Sequence, residues 1–293
     1  MARFGSLITA MVTPFDGDGR IDLEGAAALA AWLVEQGNDG LVLTGSTGEG
    51  SVLGDDEQVE VWRAVRAAVD VPLVAATGTN DTAHAVELTG RAASAGMDGV
   101  LIVTPYYNRP AQAGLEAHFR AVAAATDLPV VLYDIPIRSS RKISHEVLMH
   151  LAHGVDNVVG LKDAAANPAE TARVVADAPE GFEVWAGDDT MTLPMMVVGA
   201  VGVISVAAHW AAPEMGEMVA AFERGDVVKA RELNALLIES FDFETSDLTP
   251  NPMPVKAMLR ALGQPGGQCR LPVGPAPDGL EQRALEVWTR LRG

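Results

Sequence analysis

Short apolar segments alternate with longer amphipathic segments over most of this chain. The apolar segments span four to six residues, are rich in Val, Leu and Ile, and lack polar alternation, which is typical of strands buried on both faces. They occupy residues 7–12, 40–44, 72–76, 99–104, 129–133, 158–161, 182–186 and 202–206. Between them, the spacing of apolar residues predicts helices over Glu24–Gln36, Asp55–Val69, Asp81–Ala95 and Gln112–Ala125.

Eight strand–helix alternations predict an α/β protein with a parallel sheet, and eight strands close a (β/α)8 TIM barrel. A doubly wound sheet is the alternative, but no Gly-x-Gly-x-x-Gly motif follows the first strand and opens a helix. A Gly-x-x-Gly turn precedes three of the strands and begins at Gly37, Gly96 and Gly199. We expect the first glycine of each turn to end a helix in the left-handed conformation.

The strand pattern stops near Gly225. Three further helices are predicted in "DVVKARELNALLIESFDF", "NPMPVKAMLRALG" and "GLEQRALEVWTRLR". We therefore predict two regions, a barrel that carries the active site over residues 1–224 and a C-terminal three-helix appendage over residues 225–293.

Composition excludes several classes of function. The chain has 293 residues, with 21 Lys and Arg against 39 Asp and Glu, and its net charge of −18 disfavours nucleic-acid binding. Apolar segments long enough to span a membrane are absent from the sequence, so no membrane partner is expected. Cys269 is the single cysteine and has no internal disulfide partner. Together with an N-terminus that lacks a signal-peptide pattern, this predicts a cytoplasmic location.

Polar and glycine residues collect just after the predicted strands, in "TGSTGE", "TPYYNRP", "YDIPIR", "KDA" and "GDD". Because barrel enzymes carry their chemistry at the carboxyl ends of the strands, these segments are where we expect an active site.

Lys162 directly follows the apolar segment of one strand, and Tyr133 occupies the matching end of the preceding strand. A lysine whose head group simply reaches solvent is the alternative interpretation. In a partly dry pocket, however, the neutral amine is favoured and can attack a carbonyl to form a Schiff base. Tyr133 would then move protons at the carbinolamine stage.

Three other segments allow two interpretations each. The "GSTGE" turn at 45–49 could bind a carboxylate through backbone N–H groups, or it could be a capped glycine-rich turn. Arg138 could clamp a carboxylate, or it could be solvated. His145, His150 and His153 could suggest a metal, but they lie on a predicted helix without a His-x-His or His-Glu-x-x-His pattern, so no metal site is predicted.

The motifs "GSTGE", "TPYYNRP", "YDIPIR", "GLKDA", "NPMPVK" and "RLP" together resemble the signatures of the dihydrodipicolinate synthase / N-acetylneuraminate lyase family of class I aldolases. The likeness covers nearly the whole chain in the same order. It implies a (β/α)8-barrel lyase, a homotetramer built as a dimer of dimers, and small-molecule substrates. It also implies that pyruvate is bound as a covalent imine on Lys162 without a cofactor.

The resemblance also implies a role for each matching position. Tyr133 would transfer protons, and Ser46 and Tyr107 would complete its relay, with Tyr107 reaching across a dimer interface. The pyruvate-binding positions implied in the same way are Thr47, the backbone of Ile204 and the pocket-lining Gly187.

Arg138 favours the synthase branch of the family, where an arginine at this place is associated with the carboxylate of aspartate 4-semialdehyde. The implied reaction condenses pyruvate with this aldehyde to 4-hydroxy-tetrahydrodipicolinate, on the route to lysine and diaminopimelate. Two departures keep a lyase of a 2-keto-3-deoxy sugar acid or of N-acetylneuraminate as the alternative: Ser46 replaces a usual threonine, and Ile137 fills a commonly small position. A non-catalytic binding protein is a third hypothesis, which the presence of both Lys162 and Tyr133 disfavours.

The resemblance also bears on whether lysine inhibits the enzyme. Asp55, Gln58 and His84 stand where lysine-inhibited synthases often carry their ligands, although Asn80 and Tyr106 are retained. We therefore expect weak or absent feedback by lysine.

Overall fold

The computed structural model describes residues 2–293, and its eight parallel strands form a closed barrel in chain order, β1 to β8. This confirms the predicted fold class. The strands are β1 Leu7–Ala10, β2 Gly40–Leu43, β3 Leu73–Ala76, β4 Gly99–Val103, β5 Val130–Asp134, β6 Val158–Asp163, β7 Glu183–Ala186 and β8 Gly202–Ser205. Nearly every strand residue is buried, as the unbroken apolar segments predicted.

Twelve α-helices occur within residues 2–293, and the four predicted between the early strands are confirmed to within three residues at each end. They are α1 Leu23–Glu35, α2 Asp55–Ala68, α3 Thr82–Ala92, α4 Gln112–Ala123, α5 Pro136–Ser139, α6 His145–Gly154, α7 Pro168–Asp177, α8 Thr192–Val197, α9 Ala208–Glu223, α10 Val227–Phe243, α11 Met253–Ala261 and α12 Leu280–Arg292. In this described part of the chain, no helix combines the length and the apolar character needed to cross a membrane.

Short polar side chains fix where several helices begin. The side chains of Asp22, Asp81, Ser144, Asn167 and Asp226 each accept a hydrogen bond from a backbone N–H in the first turn of the following helix. These caps satisfy donors that the helix itself leaves without partners, and they therefore set the helix boundaries from local sequence.

The repeated Gly-x-x-Gly turns have the predicted conformation. Gly37, Gly96 and Gly199 have φ of +99°, +82° and +108°, and each follows a helical segment. The second glycine of each turn is the first residue of β2, β4 or β8. The repeat is therefore a structural device for leaving a helix and entering a strand.

Contacts within the chain divide it into two compact units. One unit contains the residues up to Ser6 and Pro72–Ile204, and the other contains Leu7–Val71 and Ser205–Gly293. The three predicted C-terminal helices are confirmed as α10, α11 and α12, which belong to the second unit. A boundary after residue 224 stays a prediction.

Gly202 offers a test of the packing at the start of β8. Its φ is +153°, and a Cβ at this position would lie 1.9 Å from the carbonyl oxygen of Ser6. We expect Gly202→Ala to lower the free energy of unfolding by about 2–4 kcal/mol, because both the backbone and the contact must shift. Urea unfolding measures it. Gly17→Ala, with nothing within 4 Å of its added Cβ, is the control, and equal losses in the two variants would contradict the argument.

Candidate active site

The predicted nucleophile and the predicted proton-transfer residue are neighbours on adjacent strands. The parallel register of β5 and β6 places Tyr133 opposite Lys162. Both side chains are almost fully buried, with exposed fractions of 6% and 5%, and the Lys162 Nζ lies 4.4 Å from the centre of the Tyr133 ring. The strand also runs further than the sequence indicated: β6 extends to Asp163, because the backbone N–H of Gly187 donates to the Asp163 carbonyl at 2.7 Å.

Gly187 provides room for the Lys162 side chain. It directly follows β7, and a Cβ at this position would lie 3.0 Å from Cγ and 3.1 Å from Cε of Lys162. Any larger residue would therefore crowd the lysine. The structure brings Lys162, Tyr133 and Gly187 together, while Ile204 is a buried residue of β8 in the same unit.

Arg138 lies on α5, a single turn that Pro136 begins directly after β5. Its guanidinium is exposed, and within residues 2–293 no carboxylate pairs with it. The neighbouring Ile137 is also exposed, at 88%. A guanidinium without a protein partner remains available for an anionic group of a small molecule.

The two adjacent tyrosines of the "TPYYNRP" segment differ in burial. Tyr106 is half-buried and hydrogen-bonded to the backbone of Asn80, and its burial raises the pKa of the phenol. Tyr107 is 89% exposed and has a φ of +72°, in the left-handed region that non-glycine residues seldom adopt. The "TPYYNRP" segment therefore directs one ring inward and the other into solvent.

The "GSTGE" segment forms a tight turn after β2, in the second unit. Ser46 is exposed and Thr47 is buried. A Cβ at Gly50 would lie 2.0 Å from the carbonyl oxygen of Thr44, so the turn requires glycine there. Two side-chain contacts fix it further: Asn251 Nδ2 donates to Thr47 Oγ1 at 3.0 Å, and Thr13 Oγ1 donates to the Gly48 carbonyl at 2.6 Å.

A buried ion pair anchors the end of the same turn. The Lys256 Nζ lies 2.5 Å from Glu49 Oε1, and the backbone N–H of Arg270 donates to Glu49 Oε2 at 2.8 Å. Lys256 has no exposed surface, and its Nζ also lies 4.0 Å from the centre of the Phe15 ring. Burial lowers the pKa of Lys256, and the Glu49 carboxylate opposes this shift.

Sequence reasoning missed the Glu49–Lys256 pair. Lys256 is the last residue of the "NPMPVK" motif and Glu49 the last residue of the "GSTGE" motif, but neither motif indicates that the two side chains pair. The available signal was the apolar surroundings of Lys256 on α11, where Val255, Ala257, Met258 and Leu259 are all fully buried. A lysine among such residues requires a buried acceptor.

Two of the three histidines that were considered as metal ligands pair with acidic side chains instead. His145 Nε2 lies 2.9 Å from Asp177 Oδ2, and His150 pairs with Glu116, all on helix surfaces. Burial raises the pKa of the Cys269 thiol to about 12, so this thiol stays protonated. No three His, Cys, Asp or Glu side chains of residues 2–293 are grouped so as to hold a metal ion.

The closed parallel barrel places the chain among the (β/α)8-barrel proteins. More narrowly, the chain belongs to the dihydrodipicolinate synthetase family, whose model matches residues 3–287. The 4-hydroxy-tetrahydrodipicolinate synthase of Moorella thermoacetica is 45% identical to it over 288 residues, which cover 97% of this chain and 98% of the relative. This confirms the family suggested by the motifs.

Solved structures agree with this assignment. A dihydrodipicolinate synthase from Bacillus anthracis superposes with a TM-score of 0.94, at 40% identity and with 99% of each chain covered. The enzyme from Cyanidioschyzon merolae, solved with lysine bound, superposes with a TM-score of 0.96, at 38% identity, with 100% of this chain and 99% of the other covered.

The Glu49–Lys256 pair predicts a large stability effect. We expect Lys256→Met to lower the free energy of unfolding by about 3–5 kcal/mol, because Glu49 is left as a buried charge without its cation. Chemical denaturation measures this loss. Lys229→Met is the matched control, since Lys229 and Glu232 form an exposed pair 3.9 Å apart, and its loss should stay below about 1 kcal/mol. A Lys256→Met protein as stable as this control would refute the anchoring role.

Proposed function

We propose that this protein condenses pyruvate with aspartate 4-semialdehyde to form 4-hydroxy-tetrahydrodipicolinate, with Lys162 as the Schiff-base residue. One observation carries the proposal: a buried lysine amine lies over a buried tyrosine ring on the neighbouring strand of the barrel. Burial disfavours the charged ammonium form, and nucleophilic attack requires the neutral amine. The synthase relatives support the choice of reaction.

In the proposed mechanism the Lys162 Nζ attacks the keto carbon of pyruvate to give a carbinolamine. Loss of water, with protons carried by Tyr133, forms the imine, and removal of a methyl proton gives the enamine. The enamine carbon then attacks the aldehyde carbon of the semialdehyde and forms the new carbon–carbon bond. Attack of the substrate's own amine on the imine carbon releases Lys162 and closes the ring. The chemistry uses a covalent lysine imine and requires no cofactor.

We assign the remaining residues to supporting roles in this mechanism. Ser46 and Tyr107 continue the proton relay from Tyr133, and Arg138 binds the carboxylate of the aldehyde. The pyruvate-binding positions are Thr47, the backbone of Ile204 and Gly187. The exposed and unpaired state of Arg138 supports its assignment, because an anionic substrate would supply the partner that the chain does not.

The proposed assembly is a homotetramer, a dimer of dimers, in the cytoplasm. The exposed ring of Tyr107 supports an assembly in which this side chain enters the site of a neighbouring copy. Cys269 is the single cysteine, so the chain has no internal disulfide, which fits a reducing compartment.

Borohydride trapping tests the Schiff base. We expect the protein to form a covalent adduct when it is treated with pyruvate and borohydride, and we expect Lys162→Ala to form none, because the amine that becomes the imine is gone. Intact-mass spectrometry detects the adduct. Lys229→Ala, which removes an exposed lysine elsewhere, should keep it. An adduct that persists in Lys162→Ala would disprove the assignment.

A substrate panel separates the synthase from the alternative lyase. Turnover of pyruvate with aspartate 4-semialdehyde is compared with cleavage of 2-keto-3-deoxy sugar acids and of N-acetylneuraminate. Faster cleavage of a sugar acid than condensation with the semialdehyde would replace the proposed reaction by the lyase reaction.

Feedback by lysine is expected to be weak or absent. Gln58 is buried in α2 and His84 lies on α3, at places where inhibited synthases often carry other polar ligands. Steady-state assays with added L-lysine measure the effect, and we expect no loss of rate in the micromolar range. Half-inhibition by micromolar lysine would contradict this prediction.

A further inference from the structure

The two strands that carry Tyr133 and Lys162 also carry a pair of buried acids. The register of β5 and β6 pairs Asp134 with Asp163, one position after the Tyr133–Lys162 pair. Because successive side chains of a strand point to opposite faces, the two carboxylates lie on the other face of the sheet from the phenol and the amine. Both carboxylates are buried. Asp134 directly follows Tyr133 in the chain, and Asp163 directly follows Lys162. A displacement of either carboxylate therefore also displaces the neighbouring phenol or amine.

Asp163 is held by neutral donors alone. The backbone N–H of Ala165 donates to Oδ1 at 2.9 Å, and the hydroxyl of Thr171 on α7 donates to Oδ2 at 2.8 Å. Thr171 is itself fully buried. This carboxylate is thus hydrogen-bonded by packed elements of the barrel, and the charge of Lys142 acts on it without a direct contact.

Asp134 is held differently, because one of the two groups that contact its carboxylate is a cation. The backbone N–H of Ile143 donates to Oδ1 at 3.2 Å, and Lys142 Nζ lies 3.2 Å from Oδ2. Burial raises the pKa of Asp134 to about 6; Lys142 opposes this rise, and the neighbouring Asp163 adds to it. The ionised state and the fixed position of Asp134 therefore depend on Lys142.

Lys142 also contacts a second acid, but the two contacts differ in their surroundings. Its Nζ lies 2.9 Å from Glu170 Oε2, and the Glu170 side chain is 51% exposed whereas that of Asp134 is 4% exposed. An exposed ion pair is worth little, whereas a buried carboxylate that loses its cation pays a large desolvation cost. The ion pair of Lys142 with Asp134 therefore contributes more to stability than its ion pair with Glu170 does.

A cavity of about 380 Å³ adjoins this pair. Asp134, Lys142 and Asp163 line it together with side chains of α6 and α7. On this side Asp134 therefore faces a cavity instead of packed side chains, and its position depends on its hydrogen-bonded partners. The cavity also leaves room for a cation larger than an ammonium group.

We propose that Lys142 is a positioning residue for the reaction: its ion pair with Asp134 fixes the carboxyl end of β5 and so holds Tyr133 in place against Lys162. This inference rests on the proposed function, because the Tyr133–Lys162 geometry limits the rate only if Lys162 forms the imine. A displacement of reacting groups by about 1 Å can cost about 100-fold in rate, so a modest shift of β5 is measurable.

The test compares Lys142→Met with Lys142→Arg in the full-length enzyme. The readouts are the rate of pyruvate imine formation, from rapid mixing and borohydride quenching, and kcat and KM for both substrates. We expect Lys142→Met to lower the imine-formation rate and kcat by about tenfold and to leave each KM within about twofold, because positioning acts on the reacting groups and not on binding. Lys142→Arg, which keeps the charge, should recover most of the rate.

A double-mutant cycle separates positioning from a general structural effect. Asp134→Asn should lower the imine-formation rate as Lys142→Met does, and the double variant should be no slower than the slower single variant, because both changes remove the same pair. Glu170→Gln is the matched control. It removes only the exposed contact of Lys142, and its rates should stay within about twofold of the unmodified enzyme.

The outcomes are distinguishable. Unchanged rates per folded Lys142→Met protein, no recovery in Lys142→Arg, or additive losses in the double variant would each overturn the positioning role. If the unmodified enzyme traps no pyruvate at all, the proposed function itself fails. If it traps pyruvate and Lys142→Met does so at the same rate, only the inference about Lys142 fails.

Discussion

The register between β5 and β6 is the constraint on which the proposed chemistry of this protein depends. It pairs Tyr133 with Lys162 and, one position later, Asp134 with Asp163. Because the side chains of a strand alternate between its faces, a slip of one residue on either strand would put a carboxylate where an amine or a phenol is needed. The hydrogen bonds that hold Asp134 and Asp163 therefore also keep Tyr133 and Lys162 on the face that the proposed reaction requires.

The features that sequence analysis predicted correctly are those that local chemistry determines. Strands buried on both faces are apolar throughout, so β1 to β8 could be located from short segments. Left-handed turns favour glycine, so Gly37 and Gly96 were identifiable without any knowledge of tertiary contacts. Lys162 was also identifiable from local sequence, since a charged residue at the end of an apolar strand is costly unless it has a function; its burial beside Tyr133 is observed, and its catalytic role stays a prediction.

The features that sequence analysis missed depend on contacts between distant parts of the chain. Lys142 resembles a surface lysine in sequence, and the apolar neighbours of Lys256 indicate burial but do not identify its partner. Only the folded chain shows that each lysine pairs with a buried carboxylate. The Nζ–O distances of these pairs, 2.5 Å for Lys256 and 3.2 Å for Lys142, result from the packing of elements that are distant in sequence, and no local pattern encodes them. The end of β6 was placed too early for a related reason, because its last residues are extended by hydrogen bonds to neighbouring strands and not by apolar character.

The turn that carries Ser46 and Thr47 is held by residues far away in the sequence. Asn251 contacts Thr47 across 204 positions, and Arg270 contacts Glu49 across 221. During synthesis, the turn therefore leaves the ribosome long before the residues that hold it exist. A growing chain can complete all eight strands and still lack the anchors of this turn, so the proposed active site is fully supported only once Asn251 and Arg270 have been synthesised. Proteolytic removal of the segment that contains Asn251 and Arg270 would likewise remove both anchors of the turn while leaving Tyr133 and Lys162 in the chain.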